Sequence, residues 1–198
     1  MSLLLAFLFV TWEFAGPSGP KQLDVLALRA LLNCRSPRIT SALVILTELG
    51  RTPVALIPGI VVWRRSRVMS IQLVSAAMGG WLIGELFKRL IERPRPADIL
   101  PLVGAGGYSF PSGHALVAAA TYTTAAILAC RQLHQPAYRI LISMATILLV
   151  SIVAVSRVYL GVHYMSDVIG GILLGAVWAV ILQQVFEVEV SVNRGHSD

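Results

Sequence analysis

The chain has 198 residues, of which 56% are hydrophobic and only 13% charged. That balance is too apolar for an ordinary soluble protein of this length, so the bilayer is the expected solvent and residues 1–198 are expected to form one membrane domain. The formal net charge of +6 does not indicate a nucleic-acid partner, because the Lys and Arg residues sit between or at the ends of apolar stretches and form no long basic stripe. Anionic lipid head groups or a phosphorylated ligand account for them better.

Six stretches are candidates for membrane helices: residues 2–15, 41–63, 68–91, 113–129, 140–158 and 168–185. The first falls short of the roughly 20 residues of a perpendicular span, and is expected to tilt, to continue toward Gly16 or to lack some native residues at its start. No basic residue precedes it and no small-x-small cleavage site follows, which argues against a signal peptide. Gly16-Pro17-Ser18-Gly19-Pro20 then breaks the chain. Leu23, Leu26, Ala27, Ala30 and Leu31 recur at helical spacing opposite Lys21, Asp24 and Arg29, predicting a short helix either at the interface or packed on the bundle. Within the spans, Glu48 with Arg51 and Glu85 with Lys88 are three apart and are read as helical ion pairs. Arg64, Arg65 and Arg67 mark one turn and Arg131 to Arg139 another; span counting puts both on one face, expected to be cytoplasmic. The opposite face carries Lys88, Arg89, Arg93, Arg95 and Arg157, charges held there by some other requirement. Residues 92–110, rich in Pro and Gly, are expected to be irregular backbone. Cys34 and Cys130 fall on opposite faces, against a disulfide, and no Cys/His cluster has metal-ligand spacing.

Three polar clusters interrupt the apolar pattern at 88–96, 111–114 and 156–167, and span counting gathers all three on one face. They supply the cations Lys88, Arg95 and Arg157, the histidines His114 and His163, and the carboxylate Asp167. This set suits phosphoryl transfer, which needs positive charge on the equatorial oxygens, an in-line nucleophile and an acid for the leaving oxygen. The arginines offer planar forks of donors and Lys88 a point charge. Ser112 and Gly113 open a helix, where backbone N–H groups and a hydroxyl can face an oxyanion; read alone, Ser112 is an ordinary helix cap. His163 and Asp167 are four apart, so on a helix the carboxylate can fix the imidazole tautomer and leave the other nitrogen free to attack phosphorus. His114 can protonate the leaving oxygen and later activate water. His134 and His196 lack such company and are read as interface residues.

These residues resemble the type 2 phosphatidic acid phosphatase superfamily. Lys88, Arg95 and Pro96 match Lys-x6-Arg-Pro; Pro111 to His114 match Pro-Ser-Gly-His; Ser156, Arg157, His163 and Asp167 match Ser-Arg-x5-His-x3-Asp. The resemblance implies an all-helical, six-span bundle in which His163 becomes phosphorylated, Asp167 orients it and His114 is the acid/base. It gives Lys88, Arg95, Ser112, Gly113 and Arg157 the phosphate, and implies a reaction without metal or other cofactor on the extracytoplasmic face. The superfamily also holds soluble acid phosphatases and vanadate-dependent haloperoxidases, but the apolar spans are similar to its membrane lipid phosphatases. Undecaprenyl pyrophosphate, phosphatidylglycerol phosphate, phosphatidic acid and a lipid A phosphate are the substrates that branch implies, in a bacterial inner membrane. A phosphotransferase using the same phosphohistidine and a non-catalytic anionic-lipid binder or transporter remain alternatives. The second needs neither a tautomer-fixed nucleophile nor a proton donor.

Overall fold

The computed structural model describes residues 2–15, 21–97 and 99–195, which contain helices and no strands. Among them, four helices are long and apolar enough to cross a membrane, or five if one bent pair counts as a single span. The expectation of an integral membrane helical bundle holds, with the bilayer-crossing length met by four or five elements. α1 (Ser2–Phe14) is apolar but at 13 residues reaches only about 20 Å, less than a hydrocarbon core of about 30 Å. The Gly-Pro break expected at 16–20 lies outside the described residues, as does His196.

α2 (Gln22–Asn33) is the short helix expected after it, but it presents a different face. Leu23 and Leu26 are exposed, whereas Asp24 is buried with Leu28, so the apolar stripe does not define the packed side. Leu28 packs with Ala115, Ala154, Val158, Tyr164 and Val168, which seats α2 across the ends of later helices.

The predicted span 41–63 is broken. α3 (Pro37–Thr47), capped by the Ser36 hydroxyl on the Ile39 N–H at 3.4 Å, runs into a tight turn at Glu48–Gly50. After Arg51 come α4 (Thr52–Ala55) and α5 (Ile57–Val62), and the two arms meet at 61°. Pro53 and Pro58 each lack an N–H and crowd the preceding turn, so one straight helix cannot form. Gly50 sits at the bend because a Cβ there would lie 2.8 Å from the His114 carbonyl oxygen and 2.7 Å from Val153 Cγ1. The break therefore presses backbone against His114.

α6 (Arg67–Ile91) starts on the Ser66 cap and stops at Glu92, which adopts φ 52° and donates its N–H to the Lys88 carbonyl before Pro94 and Pro96. No helix or strand occurs among the described residues of 92–112, as the Pro/Gly content predicts. α7 (Gly113–Gln132) is central and packs on α6, α8 (Pro136–Tyr159) and α9 (Met165–Gly195). α8 leaves Ile140, Leu141, Met144, Ile147 and Leu148 exposed, a face whose natural solvent is lipid.

α7 and α9 touch through small residues. A Cβ at Gly171 would lie 2.6 Å from the Ser112 carbonyl oxygen and 3.2 Å from Ala115 Cβ. Gly171→Val is therefore expected to force the helices apart at an overpacking cost of about 1–3 kcal/mol. Its thermal midpoint in detergent should fall measurably; an unchanged midpoint would mean that the contact is loose.

Candidate active site

The tight ends of α6, α7, α8 and α9 bring all eight sequence-predicted site residues to one end of the bundle, in two adjoining groups. The first surrounds His163, in the turn between α8 and α9. That turn forms because Gly161 takes φ 79°, letting the chain reverse before Met165 starts α9. His163 and Asp167 are both buried, with Nδ1 and Oδ2 3.4 Å apart. Asp167 Oδ2 also accepts from the Tyr164 N–H at 2.7 Å and from the Ser109 hydroxyl, while the Asp167 carbonyl accepts from the Ser112 N–H at 2.9 Å.

On the other edge of the imidazole, Arg95 Nη1 lies 3.3 Å from Nε2. A guanidinium only donates, so this approach fits an imidazole whose Nε2 carries the lone pair and whose proton is on Nδ1, toward Asp167. Burial holds the His163 imidazolium down to about 4, with Arg95 and Arg157 pushing the same way and Asp167 opposing them. At neutral pH the ring is therefore uncharged. Arg95 is itself anchored by the Val162, Gly106 and Gly107 carbonyls at 2.6, 2.9 and 3.0 Å.

The second group lines a cavity of about 540 Å³ between the broken span and α6/α7. Its polar wall is Arg51, Glu85, Lys88, Gly113 and His114; Pro53, Leu56, Met78, Trp81 and Val117 make the apolar part. Both expected ion pairs are present, Lys88 Nζ to Glu85 Oε1 at 2.6 Å and Arg51 Nη1 to Glu48 Oε2 at 2.8 Å. The second pair lies at the helix break, which carries Arg51 to the cavity. Ser112, whose N–H donates to the Asp167 carbonyl, is two residues before His114, so the two groups adjoin.

Arg157 is buried and its Nη1 donates to Thr47 Oγ1 at 3.1 Å, a partner that spacing alone does not reveal. Its Nε and the Ser112 hydroxyl are buried without a partner among the described residues. Ser112 precedes α7 as a cap would, but its side chain makes no capping bond, contrary to the ordinary-cap reading.

Sequence reasoning also missed Ser109, Arg93 and Asp24. Ser109 bonds Asp167. Arg93 donates Nη1 to Asp167 Oδ1 at 2.5 Å and Nη2 to Asp24 Oδ2 at 2.6 Å. The sequence presents Arg93 only as a surplus charge on this face and Asp24 as part of a polar helix face. The one available signal was an arginine within the Lys-x6-Arg-Pro stretch with no assigned partner.

The fold and this arrangement define a polytopic membrane protein with a buried histidine–carboxylate pair beside a cationic cavity. The chain belongs to the PAP2 superfamily, whose family model matches residues 69–190. It is 40% identical over 99 residues to phosphatidylglycerophosphatase B of Bacillus subtilis, covering 48% of this chain and 46% of the relative. It is 30% identical over 122 residues to an undecaprenyl-diphosphatase of Sulfolobus acidocaldarius, covering 59% and 55%. The chain thus spans about half the length of the curated relatives it matches. In three dimensions it resembles the crystal structure of a transmembrane PAP2-type phosphatidylglycerolphosphate phosphatase from Bacillus subtilis, with TM-score 0.82, 28% identity and 94% of each chain covered.

Proposed function

We propose that the protein is a lipid phosphate or pyrophosphate phosphatase that works through a phosphohistidine on His163. The observation that carries this reading is the buried His163, held by Asp167 on one ring edge and approached by the Arg95 guanidinium at Nε2. A cation 3.3 Å from the nucleophilic nitrogen is where a bound phosphate oxygen would be neutralised. Names of relatives add the substrate class, since a phosphatidylglycerophosphatase and an undecaprenyl-diphosphatase both act on phosphate carried by a membrane lipid.

In the first step Nε2 attacks phosphorus, the P–O bond to the lipid breaks, and His114 protonates the leaving oxygen. Asp167 stabilises the positive charge that then develops on the imidazole. In the second step His114 takes a proton from water, whose oxygen attacks phosphorus as the P–N bond breaks, releasing inorganic phosphate. Lys88, Arg95, Arg157, Ser112 and the Gly113 backbone hold the phosphoryl oxygens. The Ser112 hydroxyl and Arg157 Nε, each buried without a partner among the described residues, would lose a desolvation penalty of about 1–3 kcal/mol by bonding such an oxygen.

In the membrane, α1 completes a six-span single domain with the bilayer thinned around its 13 residues, and α2 lies at the interface with Leu23 and Leu26 outward. The turns bearing Arg64, Arg65, Arg67, Arg131 and Arg139 face the cytoplasm, which puts the site on the extracytoplasmic side of a bacterial inner membrane. The apolar part of the 540 Å³ cavity, between the broken span and α6, gives a lipid chain a path from the bilayer to His114.

The test is phosphate release by the detergent-solubilised protein from undecaprenyl pyrophosphate, phosphatidylglycerol phosphate and phosphatidic acid. Release from at least one of them, undiminished by chelator, is expected. No release from any lipid by the folded protein would reject hydrolysis in favour of a lipid binder or of a transferase requiring another acceptor.

A further inference from the structure

We propose that Asp24, on α2, is a positioning residue for the phosphoryl transfer proposed above, acting through Arg93 on Asp167. The observation is a buried chain of charge that joins three distant parts of the sequence. Arg93, 3% exposed, is clamped between Asp24, 1% exposed, and Asp167, fully buried, at 2.6 and 2.5 Å. Ser166 closes the network. Its N–H donates to Asp24 Oδ1 at 2.9 Å, its hydroxyl donates to Asp24 Oδ2 at 2.7 Å, and the same hydroxyl accepts from Arg93 Nη1 at 2.7 Å. The Arg93 guanidinium also lies 4.6 Å over the Tyr164 ring, next to His163 in the chain.

The arrangement divides the two oxygens of Asp167. Oδ1 is fixed by Arg93, so Oδ2 alone is turned to the His163 ring. A buried arginine given wholly to Asp167 would cancel most of the charge that the imidazole needs when it becomes a cationic phosphohistidine. Asp24 takes the other end of that guanidinium. The cluster of two carboxylates and one arginine keeps a net negative charge, available to the ring at Oδ2. Asp24 itself touches none of the reacting groups, and none of its bonds reaches the cations that hold phosphate. Its removal should accordingly slow chemistry without weakening substrate binding.

Asp24→Asn keeps the shape and removes the charge. Measured as phosphate release from the best lipid substrate, its kcat is expected to fall at least tenfold, with KM and competitive inhibition by inorganic phosphate within about twofold of the unaltered protein. Ser166→Ala, which deletes one hydroxyl of the same network, is expected to lower kcat about threefold or more with the same unchanged KM, and it decides the matter if Asp24→Asn does not fold. A folded Asp24→Asn with full kcat, a loss shared by kcat and phosphate affinity, or a Ser166→Ala protein with full kcat would overturn the proposal while leaving the hydrolase reading intact. Absence of hydrolysis by the unaltered protein would instead remove both.

Discussion

His163→Ala is expected to lower phosphate release by about four orders of magnitude or more, because no other group at the site offers an uncharged nucleophilic nitrogen beside Arg95. A fall of 10⁴ is about 5.5 kcal/mol of transition-state stabilisation. The side chain has few bonds that hold the fold, since its contacts to Asp167, Ser109 and Arg95 are 3.3 to 3.5 Å long and those partners keep shorter bonds elsewhere. The variant should therefore run as a single species on size exclusion in detergent. Its lipid-phosphate affinity should survive, because Lys88, Arg157 and the backbone of Gly113 are untouched. Retention of more than about a hundredth of the activity would exclude His163 as nucleophile.

Asp167→Asn carries the second large effect. The carboxylate fixes the proton on Nδ1 and compensates the positive ring of the intermediate; an amide of the same shape offers an N–H in place of one oxygen and no charge. In the Ser-His-Asp triad of serine proteases, where a carboxylate likewise fixes a histidine tautomer, the same change lowers kcat by about 10⁴. A drop of about 10³ to 10⁴ in kcat with little change in KM is expected here, read in the same lipid assay. Some of this variant's stability is expected to go as well. Arg93 would keep Asp24 but lose its second carboxylate, and Ser109 and the Tyr164 N–H would lose a charged acceptor. A kcat within tenfold of the unaltered protein would show that Asp167 serves packing alone.

Legibility of the fold in the sequence follows the range of the forces involved. The four long helices were legible because each is a continuous apolar run, and the end of α6 was legible at Pro94 and Pro96, whereas α8 starts at Pro136, four residues before the predicted span. The second span reads as continuous because the sequence is apolar on both sides of Arg51, although Gly50, Pro53 and Pro58 fall within it. The sharpness of the 61° bend is decided by packing of Gly50 against α7 and Val153, which no local pattern records. At the site, spacing was enough for His163 with Asp167, for Lys88 with Glu85 and for Arg51 with Glu48, since these partners are three or four residues apart. Asp24 and Arg93 are separated by 69 residues, and the short α2 carries enough leucine that its one acidic residue looked like part of a solvated face. Burial of Leu28 against Tyr164 and Val168 reverses that reading by turning Asp24 inward. Thr47, the partner of Arg157, is 110 residues away and is likewise invisible to any periodicity.

The most direct measurement is rapid-quench trapping of the protein during turnover of a labelled lipid phosphate, followed by alkaline digestion conditions that preserve phosphoramidates and mass spectrometry of the peptide containing His163. Acid-labile phosphate on His163, forming and decaying at rates compatible with turnover and absent from His163→Ala, is the expected result. Turnover that proceeds with no phosphate on His163 at any time, or that persists in His163→Ala, would contradict a phosphohistidine mechanism.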